Sequence, residues 1–283
     1  MRFSWNRDMY QGVYINLDSS SERRDVLVAH LENLGLAARY HRFPAIDGRT
    51  IASEGAPGLQ PGALGCWMSH TGVLEAHRGS PVHLHVIEDD IVLAHTALTR
   101  FDELLRQADD RLGGWDVLYT EVHLPIDAGV HRLFLERVRI CEQTGVPSFV
   151  DLAEIAFAGM TSYFVNRRSR AKVCDLLAGA WACGAPIDLF IRHLVHQSRL
   201  RAFVTVPFLT TLSAAGIHSD IRGRVDRSRR VCEAYRRAFF IDADRPALMA
   251  EMQELVAGAK VAPLSELFLE AQRFSLSDSW EVF

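Results

Sequence analysis

The sequence predicts an α/β fold with a mostly parallel central sheet flanked by helices, followed by a helical C-terminal region. Three observations carry this. The first 45 residues read strand, helix, strand; apolar runs and helical periodicities go on alternating to about residue 206; and 48% hydrophobic content over 283 residues is ample for a large core. Alternation of this kind favours parallel strands joined by helical crossovers.

VYINL at 13–17 is a short apolar strand, and DSSSERR then turns the chain into a helix with Leu27, Leu31 and Leu34 on one face. Ser19 and Glu22 have the spacing of a capping box, and Gly35 stands where a glycine ends a helix. RYHRF at 39–43 is the second strand, closed by a turn at Asp47 and Gly48. SEGAPGLQPGALG reads as a loop before a helix in CWMSHTGVLEAH, where Trp67, His70, Leu74 and His77 recur at helical spacing.

VHLHVIEDDIVL at 82–93 reads as one strand, followed by a helix around 101–105 and a strand in WDVLYT. Periodicity is poor over 124–150, which suits a long excursion across the surface. AFAGMTSYFVN resumes a strand containing Gly159; helices follow near 168–177 and from PIDLFIRHLV, and RAFVTVP is a further strand. Beyond Arg224 the chain reads as helical, at 231–239, 247–256 and 264–274. The expected division is a main domain at 1–224 with a helical extension, 225–283, packed on it.

A formal charge of -4 provides no global basic field, so a nucleic-acid partner is not expected. One basic cluster, Arg222, Arg224, Arg227, Arg229 and Arg230, is either a solvated helix face or an anion site for phosphate or acidic lipid. Cys66, Cys141, Cys174, Cys183 and Cys232 are odd in number and form no C-x-x-C pair, as free thiols of a reducing, cytoplasmic compartment do. With no signal-like leader and no apolar run of about 18 residues, a soluble chain is expected, at most peripheral to an anionic membrane at its inner face.

The strongest chemical signal is HVIEDDIVL. Burying a charge is costly unless it is paired, hydrogen-bonded or metal-bound, yet Glu88, Asp89 and Asp90 are adjacent within an apolar run. On an extended segment, Glu88 and Asp90 point to one side and share a cation while Asp89 faces the other way. Such oxygen ligands suit Mg2+ or Mn2+. Taken alone, the triplet reads more readily as an acidic turn after a strand.

Its context is more specific. YINLDSSSERR at 14–24, FPAIDG at 43–48, GALGCWMSH at 62–70, VIEDD at 86–90, AGMTSYFVN at 158–166, PID at 186–188 and SDI at 219–221 occur in one order. In this the chain resembles glycosyltransferase family 25, the group of bacterial lipooligosaccharide galactosyltransferases and collagen galactosyltransferases. The resemblance implies a GT-A type nucleotide-binding domain, a UDP-sugar donor (UDP-galactose or UDP-glucose), a glycan, glycolipid or protein hydroxyl as acceptor, and inversion at the anomeric carbon. It also implies a metal motif at Glu88, Asp89 and Asp90, where the usual leading Asp is replaced by Glu.

Inversion requires a base opposite the leaving group, and Asp188 is the first candidate, with a helix N-cap as its alternative role. Asn16 and Leu17 end the first strand and Asp18 and Arg23 follow it, where a nucleotide would be received. Asn16 is suited to uracil or ribose and Arg23 to the diphosphate, while Asp18 and the serines also suit capping. Asp47 is a turn residue or a sugar or nucleotide contact; Ser69 and His70 support the acidic strand. His218 is a metal ligand, a phosphate contact or a solvated loop residue.

Two other readings compete. One is a non-catalytic carbohydrate- or nucleotide-binding module on the same fold. The other is a phosphatase of the haloacid dehalogenase type, which needs a nucleophilic aspartate where Glu88 stands.

Overall fold

The computed structural model describes residues 9–51, 58–124, 127–213, 233–234 and 236–256. Its elements run β1 (Tyr10–Asn16), α1 (Ser21–Asn33), β2 (Tyr40–Pro44), α2 (Pro61–Ala76), β3 (His83–Glu88), β4 (Ile91–Leu93), α3 (Ala97–Arg111) and β5 (Val117–Tyr119). They continue through α4 (Ala128–Thr144), β6 (Ser148–Asp151), β7 (Ser162–Val165), α5 (Arg170–Leu177), α6 (Ile187–His196), β8 (Ala202–Val206), β9 (Thr210–Leu212) and α7 (Arg245–Val256).

The main sheet has the order β2-β1-β3-β7-β5-β8-β6. β1 is parallel to β2 and β3, and β5 is parallel to β8, but β7 lies antiparallel between β3 and β5, and β6 is antiparallel to β8. Two strands therefore run against the other five, and the sheet is mixed. Val13, Leu84, Val86 and Val204 face a core built with Trp67, Phe134, Leu177 and Leu194 of α2, α4, α5 and α6. Tyr10, Ile87, Leu118 and Phe164 face the opposite core, with Leu27 and Leu31 of α1 and Phe101 and Leu105 of α3. Apolar residues on both faces explain why the strands read as continuous hydrophobic runs.

The chain departs from the sequence expectations in four places. The run at 82–93 is not one strand: β3 ends at Glu88, Asp89 and Asp90 form a turn, and β4 leaves to pair antiparallel with β9 in a separate two-stranded sheet. Segment 124–150 is not an irregular excursion but contains α4, whose Phe134, Leu135, Val138 and Cys141 are buried on one side. Asp127 caps α4 by accepting from Val130 N at 2.9 Å, and Gly145 ends it at φ 72°. α2 starts inside the Gly-Pro stretch because Pro61 suits the first helical turn. The capping box of α1 does not form; Ser20 is the N-cap and makes no side-chain cap bond, although Gly35 does adopt the left-handed conformation at φ 69°.

Glu233, Ala234 and residues 236–240 return to the main body, where Phe239 packs in the core and Phe208 N donates to Phe239 O at 2.7 Å. The helical stretch expected at 264–274, the basic cluster, Cys232 and His218 lie outside the described residues. Among the described residues, no helix is long and apolar enough to cross a membrane.

Where the chain leaves β2, the turn at Gly48 lies directly against α2. A Cβ on Gly65 would sit 2.5 Å from Ile46 O and 2.7 Å from Gly48 N, both of them backbone atoms. One turn further along, Ser69 Oγ accepts from Ile46 N at 2.8 Å and donates to Gly65 O at 2.7 Å. In Gly65→Ala the forced separation should outweigh the gain of about 1 kcal/mol in helix propensity, for a net loss of roughly 1–2 kcal/mol in urea unfolding. An unchanged midpoint would mean that the contact opens without cost.

Candidate functional site

The end of β3 borders two cavities. The larger, about 770 Å3, is walled by the ends of β1 and β3, the turn after β2 and the start of α2. The smaller, about 250 Å3, lies between α2, the loop before β7, the start of α6 and the chain near Glu233. Glu88 and Asp90 line both, whereas Asp89 lines only the larger. All three carboxylates reach the larger cavity because the chain leaves extended geometry at Asp89, and the strict alternation expected of a strand lapses there.

Each carboxylate is held by a different part of the chain. Asp89 Oδ2 accepts from Asn16 Nδ2 at 2.6 Å, and its Oδ1 lies 3.6 Å from Arg23 Nη1 of α1. Glu88 Oε1 lies 3.1 Å from His70 Nε2 of α2, and the other ring nitrogen, Nδ1, lies 2.9 Å from Tyr163 Oη of β7. Asp90 is 7% exposed, and its buried Oδ1 has no hydrogen-bond partner among the described residues. Burial first, then the charges of Glu88 and Asp89, push its pKa up to about 7. Burial also raises the pKa of Asp89, against the lowering influence of Asn16 and Arg23.

The other anticipated residues fall into distinct places. Leu17, Arg23, Asp47, Ser69 and His70 line the larger cavity. Asp18 does not, and its carboxylate pairs instead with Arg42. Asn16 lines the cavity but uses both amide hydrogens within the protein, donating to Asp89 and to Ser20 O at 2.9 Å, while its Oδ1 accepts from Arg42 Nε at 3.0 Å. Asp47 is tied to its neighbour, accepting from Arg49 N and Arg49 Nε at 2.9 Å each. Asp188 lines the smaller cavity at 8% exposure; its Oδ2 accepts from Gly159 N and its Oδ1 from Leu189 N, both at 2.9 Å. Pro186, not Asp188, is the N-cap of α6.

A buried ionic group beside the smaller cavity was not anticipated from the sequence. Arg236, 6% exposed, donates to both carboxylate oxygens of Glu121 and, at 2.6 Å, to Thr161 Oγ1; Thr161 in turn donates to Glu121. Glu233 Oε2 lies 3.7 Å from Arg236 Nη1. Burial raises the pKa of Glu121, and Arg236 opposes that rise. The positive charge of Arg236 also favours ionised Asp90. Glu121 had a readable signal, an acid just past the C-terminal end of a strand as Asp89 is; Arg236 had none.

No family model matches this chain, and no curated protein matches it. Among solved structures, mouse xyloside xylosyltransferase 1 in its apo form is similar at a TM-score of 0.31 and 12% identity, over 68% of this chain and 64% of that one. The chain thus spans less than two thirds of that protein's length.

The raised pKa of Asp90 has a definite sign in the cation-free protein. From its ordinary value of 3.8 up to about 7, the folded chain holds a proton that the unfolded chain has lost, so the Asp90 contribution to stability falls as pH rises through that window. Urea titrations should show Asp90→Asn removing that decline, a difference on the order of a few kcal/mol between pH 4 and 7. Parallel pH profiles for the two proteins would contradict this burial of charge.

Proposed function

We propose that this chain is a glycosyltransferase that moves a hexose from a UDP-sugar to a hydroxyl of a glycan or glycolipid acceptor, with inversion at the anomeric carbon. One observation carries this reading: a nucleotide-sized cavity and a smaller one share a border at two clustered carboxylates, and a further carboxylate, Asp188, stands in the smaller one. A volume of 770 Å3 is within the usual range for small-molecule and cofactor sites, while 250 Å3 suits about one sugar ring.

The larger cavity takes the donor. Arg23 at its wall meets the diphosphate, and Asp89, fixed by Asn16 and Arg23, faces the ribose. The residues present fit a hard divalent cation, because Asp90, beside Glu88, carries a buried carboxylate oxygen with no partner among the described residues. Glu88 and Asp90 would hold Mn2+ or Mg2+, which would supply Lewis-acid stabilisation of the charge that develops on the departing UDP.

The smaller cavity takes the acceptor. Asp188 is the base that removes the hydroxyl proton; each of its oxygens accepts one backbone N–H, which aims the carboxylate and leaves a second lone pair for the acceptor. Arg236, the one arginine that lines it among the described residues, already serves Glu121, so a neutral, hydroxyl-rich acceptor fits this wall better than an anionic one. The GT-A type fold belongs to the same proposal, as does a cytoplasmic site of action; among the described residues Cys141, Cys174 and Cys183 form no disulfide, which suits a reducing compartment.

Calorimetry and a transfer assay separate the roles. Wild type should bind UDP more tightly with Mn2+, and Asp90→Ala should lose at least tenfold of that cation-dependent affinity. Asp188→Asn should keep donor affinity within about twofold and lose transfer by about 100-fold or more. Unchanged cation-dependent affinity in Asp90→Ala, or full transfer in Asp188→Asn, would remove the respective assignment.

A further inference from the structure

At the junction of the two cavities stands a second set of ligand atoms whose chemistry differs from that of the carboxylate triplet. Cys66 and His70 are four residues apart on α2 and so share one face of the helix. One Cys66, one His70 and one Glu88 ligand atom all lie within 4.8 Å of one another. Cys66 lines both cavities, as Glu88 does.

We propose that Cys66, His70 and Glu88 form a site for a thiophilic divalent cation of the zinc class, separate from the oxygen-only position between Glu88 and Asp90. The inference shares Glu88 with the proposed donor site and rests on that reading for its functional consequence, not for binding itself.

Three features support it. A thiolate, an imidazole and a carboxylate are the mixed soft and borderline ligands that zinc and cobalt accept and magnesium does not. Ligand atoms about 2.0–2.1 Å from such an ion lie about 3.3 Å apart in a tetrahedral shell, close to the 3.1 Å between His70 Nε2 and Glu88 Oε1. Finally, Tyr163 Oη at 2.9 Å from Nδ1 is placed to accept that nitrogen's proton and leave Nε2 as the ligand, as metal-bound histidines require.

Binding converts the Cys66 thiol to a thiolate, its proton passing to solvent, and leaves a fourth position open toward the cavities. Because Glu88 belongs to both sites, a zinc-class ion draws it away from the diphosphate cation. Micromolar zinc should then raise the Mn2+ concentration needed for UDP binding.

The test uses the full chain and bare metal ions. Co2+ added to wild type should bind at one equivalent and give thiolate-to-cobalt charge-transfer absorption, which Cys66→Ser abolishes. On wild type alone, Zn2+ should slow iodoacetamide alkylation of Cys66 at least tenfold while exposed Cys183, followed in the same digest by mass spectrometry, reacts unchanged. Co2+ bound without the thiolate band, or Cys66 alkylated at the same rate with and without Zn2+, overturns the inference. A separate titration of wild type with UDP and Mn2+ reports on the donor site: cation-dependent UDP binding with no thiolate band leaves the proposed function intact and removes only this site. A thiolate band with no UDP binding does the reverse.

Discussion

Three adjacent carboxylates at the end of β3, with Asp90 buried and Glu88 and Asp89 half-buried, set the terms for everything around them. Ionised together and uncompensated they would repel one another and carry a heavy desolvation cost. Separate elements bring them help. Arg23 and Asn16, flanking the β1–α1 connection, hold Asp89; His70 of α2 meets Glu88; Arg236, from the C-terminal part of the chain, favours ionised Asp90. The compensation stops short at Asp90, whose Oδ1 is buried with no hydrogen-bond partner among the described residues and whose pKa is pushed up to about 7.

The same constraint shapes the architecture. Continuing β3 through Asp89 and Asp90 would carry two more acids into the sheet; instead the chain turns there, and β4 departs to pair with β9. That divergence leaves Glu88 and Asp90 on the border of both cavities. On the far side, Glu121 just beyond β5 repeats the arrangement of an acid past a strand end, but it is neutralised internally by Arg236. One arginine thus neutralises Glu121 and biases Asp90 toward its ionised form. Its segment also delivers Phe239 to the main core, so this part of the chain is bound into the fold through apolar packing and charge together.

Much of this was legible in the sequence where local physics decides. The apolar strands, α1 with its glycine terminator and the start of α6 at PID follow from period, cap and turn chemistry acting over a few residues. What escaped depended on partners distant in the chain. The antiparallel insertion of β7 is set by pairing with β3 and β5, which no local pattern of AFAGMTSYFVN records. α4 was obscured because charged residues and Gly129 interrupt its apolar stripe, although Phe134, Val138 and Cys141 keep helical spacing. The acidic triplet was conspicuous, but the division of its members was not: alternation assumes a strand, and the strand ends at Glu88. Arg236 meets Glu121 across 115 positions, a contact that neither residue's neighbours announce.

In the proposed function, a divalent cation would be held by Glu88 and Asp90 beside the diphosphate of the donor. Crystals grown with UDP and Mn2+, with data collected at the manganese absorption edge, test this directly. The predicted result is an anomalous peak bordered by the Glu88 and Asp90 carboxylates, with the diphosphate as its remaining anionic partner and Arg23 alongside. UDP bound in the larger cavity with no manganese at those carboxylates, or UDP bound elsewhere on the chain, would contradict it.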